Sequence, residues 1–247
     1  MAAAPTTLPT EAVELAAGHQ LGSLQGTFTP KRLNRALFAL YVFTTIHLLA
    51  LFVIPGLVFL WWLRRTPDFS RRQAAKRLHL FENGLIVHPE SGDGRVVIRW
   101  DSVRLYQNIT RKIINGIPTT TEYVYSAVGP GRDHATITHF YEGPETWGPH
   151  MQQAVLRAQG PAALESVLAG ETVNFGDLSL SDAGLTARAK GLLPWSEVRE
   201  IRVVAGRILV AGSGGSGAWC STAVSDIANL HVFLAVAEHL HGHRPAA

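Results

Sequence analysis

The sequence predicts an α+β chain that is mainly β: a transmembrane helix followed by two tandem β-barrel or β-sandwich units, each closed by a C-terminal helix. Three observations carry this expectation. Residues 36–63 contain no Asp, Glu, Lys or Arg. From residue 77 onward, short β-branched or aromatic runs alternate with turn residues. A pattern of glycine, tryptophan and closing amphipathic helix then occurs twice.

Composition bounds the class. The 247 residues are 47% hydrophobic and 17% charged with a formal net charge of +3, and the mean hydropathy is +0.11. That is too apolar for a disordered chain and rather apolar for a wholly soluble one. One cysteine excludes both an intramolecular disulfide framework and a cysteine-rich zinc site. The small net charge argues against a nucleic-acid partner.

Residues 1–30, rich in Ala, Thr, Pro and Gly, read as a flexible tail. Residues 31–65 hold the transmembrane helix. A helix over the uncharged run 36–63 would rise about 42 Å, enough for one tilted span and too short for two. Thr29 and Pro30 resemble an N-cap and first-turn proline, and Trp61 and Trp62 stand where an interfacial aromatic belt belongs. The run is longer than a signal-peptide core and lacks a basic region before residue 31, which makes it an uncleaved anchor. The competing geometry is a re-entrant hairpin bent at Pro55 and Gly56, with both basic flanks on one side. His47, inside the run, is expected to bond a helix carbonyl or a partner helix rather than carry protons, since Thr44 and Thr45 are its only polar company.

Charge is unevenly placed. Residues 1–77 sum to +6 and residues 78–247 to −3. Lys31, Arg32 and Arg35 precede the apolar run, whereas Arg64, Arg65, Arg71, Arg72, Lys76 and Arg77 follow it in a basic juxtamembrane linker, 66–77. The positive-inside rule then puts the bulk of a single-pass cell-membrane protein in the cytoplasm, with those six cations against anionic lipid of the bilayer.

The first β unit, 78–159, contains strands near 77–82, 84–88, 96–100, 103–110, 121–128 and 135–140. Asn115-Gly116 between isoleucines signals a hairpin. A helix opens at Pro144 and Glu145 and places Trp147, Met151, Val155 and Ala158 on one face through Gln159. A short linker helix, 160–170, joins the second unit, 171–242. There Ser225 or Asp226 caps a helix striped by Ile227, Leu230, Phe233, Leu234, Ala237 and Leu240, before a tail at 243–247. The duplication rests on two alignments. Phe81-Glu-Asn-Gly84-Leu85 matches Ser181-Asp-Ala-Gly184-Leu185, with glycines 100 residues apart. Ile98-Arg-Trp100-Asp-Ser-Val103 matches Leu193-Pro-Trp195-Ser-Glu-Val198, with tryptophans 95 apart.

Gly-Leu followed by an apolar-Trp-[Ser/Asp]-x-Val strand resembles bacterial PH-like and GRAM-like modules. The whole chain, over residues 20–241, resembles a family of uncharacterised actinobacterial membrane proteins that carry a domain of unknown function. The matching residues are Leu21-Gly-Ser-Leu24, Phe28-Thr-Pro30, Leu80-Phe-Glu-Asn-Gly-Leu85, Trp100-Asp101, Asn108-Ile-Thr110, Asn115-Gly-Ile117, Gly170-Glu-Thr-Val173, Leu193-Pro-Trp-Ser-Glu-Val198 and Asn229-Leu-His-Val-Phe233. The resemblance implies two tandem PH-like domains and brings no catalytic motif.

Isolated motifs read as structure. Gly212-Ser-Gly214-Gly-Ser-Gly217 spells G-x-G-x-x-G after a strand, yet Ala218–Thr222 looks like another strand, so a hairpin loop is expected in place of a dinucleotide site. Cys220 reads as a buried strand residue and Ser196 lacks the glycines of a nucleophile elbow. His239, His241 and His243 fall at a helix end, His134 and His139 flank a strand, and the Asn108-Ile-Thr110 sequon lies within one. A phosphate cradle in the loop 89–95 would face Glu90 and Asp93, whereas Arg188 and Lys190 in the second copy could meet an anionic head group. The expected function is a membrane-anchored, non-enzymatic binding or scaffold protein without cofactor or metal. The alternatives are a ligand-dependent sensor or enzyme with a pocket between the copies, and self-association through sheet edges or the span.

Overall fold

The computed structural model describes residues 8–90, 94–114, 117–131, 133–214 and 217–242. The chain begins with α1 (Thr10–Gly18), β1 (Leu24–Phe28), α2 (Arg35–Leu51), α3 (Val53–Leu63) and a single turn, α4 (Arg71–Ala74). Then come β2 (Leu78–Phe81), β3 (Gly84–Val87), β4 (Val96–Arg99), β5 (Arg104–Ile114), β6 (Ile117–Val128), β7 (His134–Thr138) and α5 (Pro144–Leu168). The second half holds β8 (Val173–Asn174), β9 (Leu178–Leu180), β10 (Gly184–Ala187), β11 (Gly191–Pro194), β12 (Val198–Val204), β13 (Arg207–Gly212), β14 (Ala218–Ala223) and α6 (Leu230–Gly242). The result is α+β, built mainly from small antiparallel sheets.

The transmembrane helix is the expectation the structure overturns. Among the described residues no helix is long and apolar enough to cross a membrane. The uncharged run breaks at Phe52, which is extended (φ −144°, ψ 89°) between the 17 residues of α2 and the 11 of α3. Pro55 accounts for the break. In a continuous helix its ring would clash with the Leu51 carbonyl and leave that group unbonded, whereas in the first turn of α3 no N–H is required of it. The two helices fold back antiparallel, with Tyr41 edge-on to Phe59 and Trp62, each at 6.2 Å. Gly56 permits the close approach, because a Cβ there would lie 2.7 Å from the Leu49 backbone nitrogen. Thr29 and Pro30 do not cap this helix. They pair with Glu142 and Tyr141, and Asn34 caps α2 by accepting from Leu37 N at 2.8 Å.

Two further segments depart from expectation. Within the supposed flexible tail, α1 and β1 are built into the fold, β1 as the outer strand of the sheet β1-β2-β3-β4. In place of a separate linker helix, α5 continues through Pro161 to Leu168. The Asn115-Gly116 turn, Asp93, and the tail at 243–247 lie outside the described residues.

Each half consists of a four-stranded meander, a three-stranded meander and a closing helix, as β1–β7 with α5 and as β8–β14 with α6. The correspondence reaches individual hydrogen bonds. Trp100 Nε1 donates to the Phe81 carbonyl at 3.0 Å and Trp195 Nε1 to the Ser181 carbonyl at 2.8 Å. Their backbone N–H groups donate to the carbonyls of Asn83 and Ala183. Gly84 and Gly184 each lie where a Cβ would run into a carbonyl oxygen, 2.4 Å from that of Ile98 and 2.2 Å from that of Leu193.

One apolar core runs through both halves, from Trp100, Tyr125 and Trp147 to Phe175, Leu185 and Phe233, and α5 packs on α6 within it. The strands β2 and β3 are buried at every position. Leu78, Leu80, Leu85 and Val87 face this core, while Phe81 and Ile86 meet Ala16 and Leu21 on the other face, where α1 covers the sheet. A sheet covered on both faces explains why Leu80-Phe81 and Leu85-Ile86-Val87 are apolar without alternation.

Candidate functional site

The first candidate is the α2–α3 hairpin and its base. No residue of α2 is buried, and in α3 only Gly56 and Leu63 are. Leu51 at the tip is 71% exposed and Ile54 76%. Monomeric soluble proteins rarely expose an apolar surface of this size, and one marks an interaction site. At the bend Phe52 is satisfied on both sides: its N donates to the Leu48 carbonyl and its carbonyl accepts from Gly56 N. His47 Nδ1 pairs with the Phe43 carbonyl at 2.9 Å along the same helix.

The base is clasped and cationic. Leu33 N donates to Asp68 Oδ2 at 2.8 Å, and Phe38 stacks on Phe69 at 5.1 Å, so the chain enters and leaves the hairpin at one place. Folding back brings both basic flanks to this end. Lys31, Arg32 and Arg35 are exposed there, together with Arg64, Arg65, Arg71 and Arg72. The Arg65 guanidinium lies over the Trp61 ring, 4.4 Å from its centroid.

Lys76 and Arg77 do not join that surface. Lys76 is buried, and its Nζ donates to the Pro89 and Glu90 carbonyls, both at 2.6 Å. Burial, then the neighbouring Arg72, holds its pKa below the usual lysine range. Arg77 Nη1 donates to the carbonyls of Ala74 and Lys76. Lys76 thus fastens the β3–β4 loop to the segment descending from the hairpin, and Arg77 braces that segment on itself.

Beneath them lies a histidine cluster. Arg95 Nε donates to His88 Nε2 at 2.8 Å, so the imidazole proton sits on Nδ1 and points to the Arg77 carbonyl at 3.1 Å. Burial lowers the His88 pKa despite that bond. His79, paired through Nδ1 with Thr27 Oγ1 at 2.9 Å, is pushed down to about 4 by burial and by the neighbouring His88, Arg77 and Arg95. Both rings are therefore neutral at pH 7. Glu90 accepts from Thr138 Oγ1, and Arg95 also pairs with Glu11, so described residues of the 89–95 loop are tied into the fold.

Arg188 and Lys190 are exposed on the β10–β11 turn, beside a cleft of about 450 Å³ that Arg207 also lines. Asp177 and Asp226 line the same cleft, and Arg188 Nη1 lies 3.6 Å from Asp177 Oδ1. Those carboxylates oppose an anion there. A larger cleft, about 820 Å³, separates β5 from the β12–β13 turn and thus the first half from the second.

The remaining motifs fall into structural places. The glycine-rich loop, whose residues 215 and 216 lie outside the described set, leads from β13 into β14 and opens no helix. Cys220 is buried beside Thr222, His134 bonds Ser126, and His241 Nε2 donates to the Val198 carbonyl. His243 lies outside the described residues. Among the described residues, no three His, Cys, Asp or Glu come together so as to hold a metal.

A polar node between the halves was not legible in the sequence. Asn229, in the left-handed region at φ 52°, donates its backbone N–H to the Leu105 carbonyl and accepts from Leu105 N through Oδ1, both at 2.8 Å. Its Nδ2 reaches the Val103 carbonyl and Gln159 Oε1.

Compared with known families, residues 6–245 match the model of a family of unknown function (DUF6585), and the chain belongs to that family. No curated protein and no solved structure matches it.

Proposed function

We propose that this family member is a non-enzymatic binding or scaffold protein held on a membrane by the α2–α3 hairpin, which enters the bilayer from one side and returns to it. The reading rests on one observation: the exposed apolar surface of the hairpin ends in a base where both cationic flanks meet. The 17 residues of α2 give a length of about 26 Å, shorter than a hydrocarbon core of about 30 Å, so the uncharged tip can stay inside. Across the bend the Phe52 N–H and carbonyl are both bonded and Pro55 has no N–H to satisfy, which reduces the number of backbone groups left to lipid. Trp61, Trp62 and Tyr41 lie toward the base, at interfacial depth. The exposed basic residues add attraction to anionic lipid of about 1 kcal/mol each, which favours the cytoplasmic face of the cell membrane. The repeated arrangement of seven strands and a closing helix supports PH-like modules on that face.

Flotation of the full chain with vesicles of mixed phosphatidylcholine and phosphatidylserine, in low and then high salt, tests the proposal. Retention in high salt is the expected result. Quantitative release by salt would contradict it, because screening removes the collar's attraction and leaves apolar insertion intact. A second reading, a ligand-dependent sensor, is favoured by the cleft of about 820 Å³ between the halves. Its test is a metabolite- or metal-dependent thermal shift of the full chain.

A further inference from the structure

Among the described residues, the edge of β5 carries a row of backbone hydrogen-bonding groups that no other strand takes up. The pairing of β5 with β6 is antiparallel, and β6 continues to β7, so one side of β5 faces away from its sheet. Asn229 identifies which residues point that way. Both the N–H and the carbonyl of Leu105 bond to it, and so does the carbonyl of Val103. Outward direction alternates along a strand, so Gln107, Ile109 and Arg111 continue the same row up to the bulge at Lys112/Ile113. Asn229 itself acts as the first unit of an added strand, exchanging a pair of hydrogen bonds with Leu105 as a neighbouring strand residue would. Beyond it the added strand stops.

The row then lines the cleft of about 820 Å³, whose far wall is the β12–β13 turn and the start of the segment after β14. Ile109 and Val203, exposed at 42% and 46%, offer apolar contacts from the two walls. The charged side chains among the described lining residues are Arg111 and Arg207, both cationic. Arg207 stands on the wall shared with the neighbouring cleft of about 450 Å³, where its guanidinium donates to Ser221.

We propose that this edge binds an extended acidic peptide segment of another protein, which adds a strand to β5 at Gln107, Ile109 and Arg111. Main-chain hydrogen bonds supply the affinity, alternate side chains enter the cleft, and the two arginines select for carboxylates. This names the partner class of the binding module proposed above. The site is separate from the hairpin, so its test can fail without touching the membrane reading.

The test is selection from a displayed library of random linear peptides against the full chain in detergent micelles. Enriched peptides are then measured on Ile109→Pro, which deletes one outward N–H and leaves the β6 ladder in place, and on Arg111→Glu. The expected result is acidic peptides that lose about tenfold in affinity on each variant. N-methylation of alternate peptide amides supplies a reading independent of how the proline variant folds: one alternation abolishes binding and the other leaves it. Failure to enrich any peptide would overturn the proposal. So would enrichment of peptides that are indifferent to both variants and to both methylation patterns.

Discussion

The two halves of the molecule share strands, closing helix and tryptophan hydrogen bonds, yet they differ at one joint. Between its first two strands the second half has only Phe175, Gly176 and Asp177. The first half has residues 29–77 there, the whole of the hairpin and its cationic base. The outer faces of the sheets differ as well. Phe81 and Ile86 of the first are covered by α1 and His79 is paired with Thr27 of β1, whereas Ser179, Ser181 and Thr186 at the matching positions of the second need no cover. A repeated core thus serves as a plain unit in one copy and as the mount for an apolar device in the other. Long insertions are tolerated at such a joint because closure entropy grows slowly with loop length. The Leu33–Asp68 clasp brings the inserted ends together.

Removing the inserted part should have the largest effect. Replacing residues 34–67 with a Gly-Ser linker makes the first half resemble the second, and flotation should change from essentially complete membrane retention to none while circular dichroism keeps its β signal. Next come the matched glycines. Gly84→Ala and Gly184→Ala each force a Cβ against a carbonyl oxygen, and each should cost about 3 kcal/mol in denaturant unfolding. A marked inequality between them would show that the halves are not equivalent where their hydrogen bonds coincide.

The third comparison is pH. His79 has Ser179 as its counterpart, so only the first half carries this buried imidazole. Its folded pKa of about 4 lies below the ordinary 6.5. The unfolded chain therefore binds the extra proton first, and stability falls as pH drops from 6.5 toward 4, by roughly 2–3 kcal/mol. Unfolding of His79→Ser across that range should show the dependence diminished. The smallest effect belongs to Arg65→Ala, which should weaken binding to anionic vesicles about fivefold and to neutral vesicles hardly at all.

Much of this arrangement was legible in residue order and some of it was not. The strand runs after residue 77 and the glycine-tryptophan pairing located most of both units, because period and turn chemistry are local. An uncharged run of this length reads first as one span and only second as a hairpin, and the contact of Gly56 with Leu49 that reverses this order is not local information. β1 escaped notice because Leu-Gln-Gly-Thr-Phe has no strong pattern and its counterpart β8 has just two residues. Pro161 suggested a helix boundary, yet α5 passes through it while packed on α6. Lys76 and Arg77 counted as surface charge because a charge tally does not register the carbonyls that receive them. Asn229 could have been suspected from the tolerance of asparagine for positive φ, but its role depends on Leu105, 124 residues away.

The central claim is that the hairpin enters a membrane and returns on the side it came from. Accessibility of single cysteines in sealed vesicles measures this directly. In a Cys220→Ala background, Arg32→Cys and Arg71→Cys should react with a membrane-impermeant maleimide from the same side, and Phe52→Cys should be protected from both sides. Labelling of positions 32 and 71 from opposite sides, or free labelling of position 52, would contradict it.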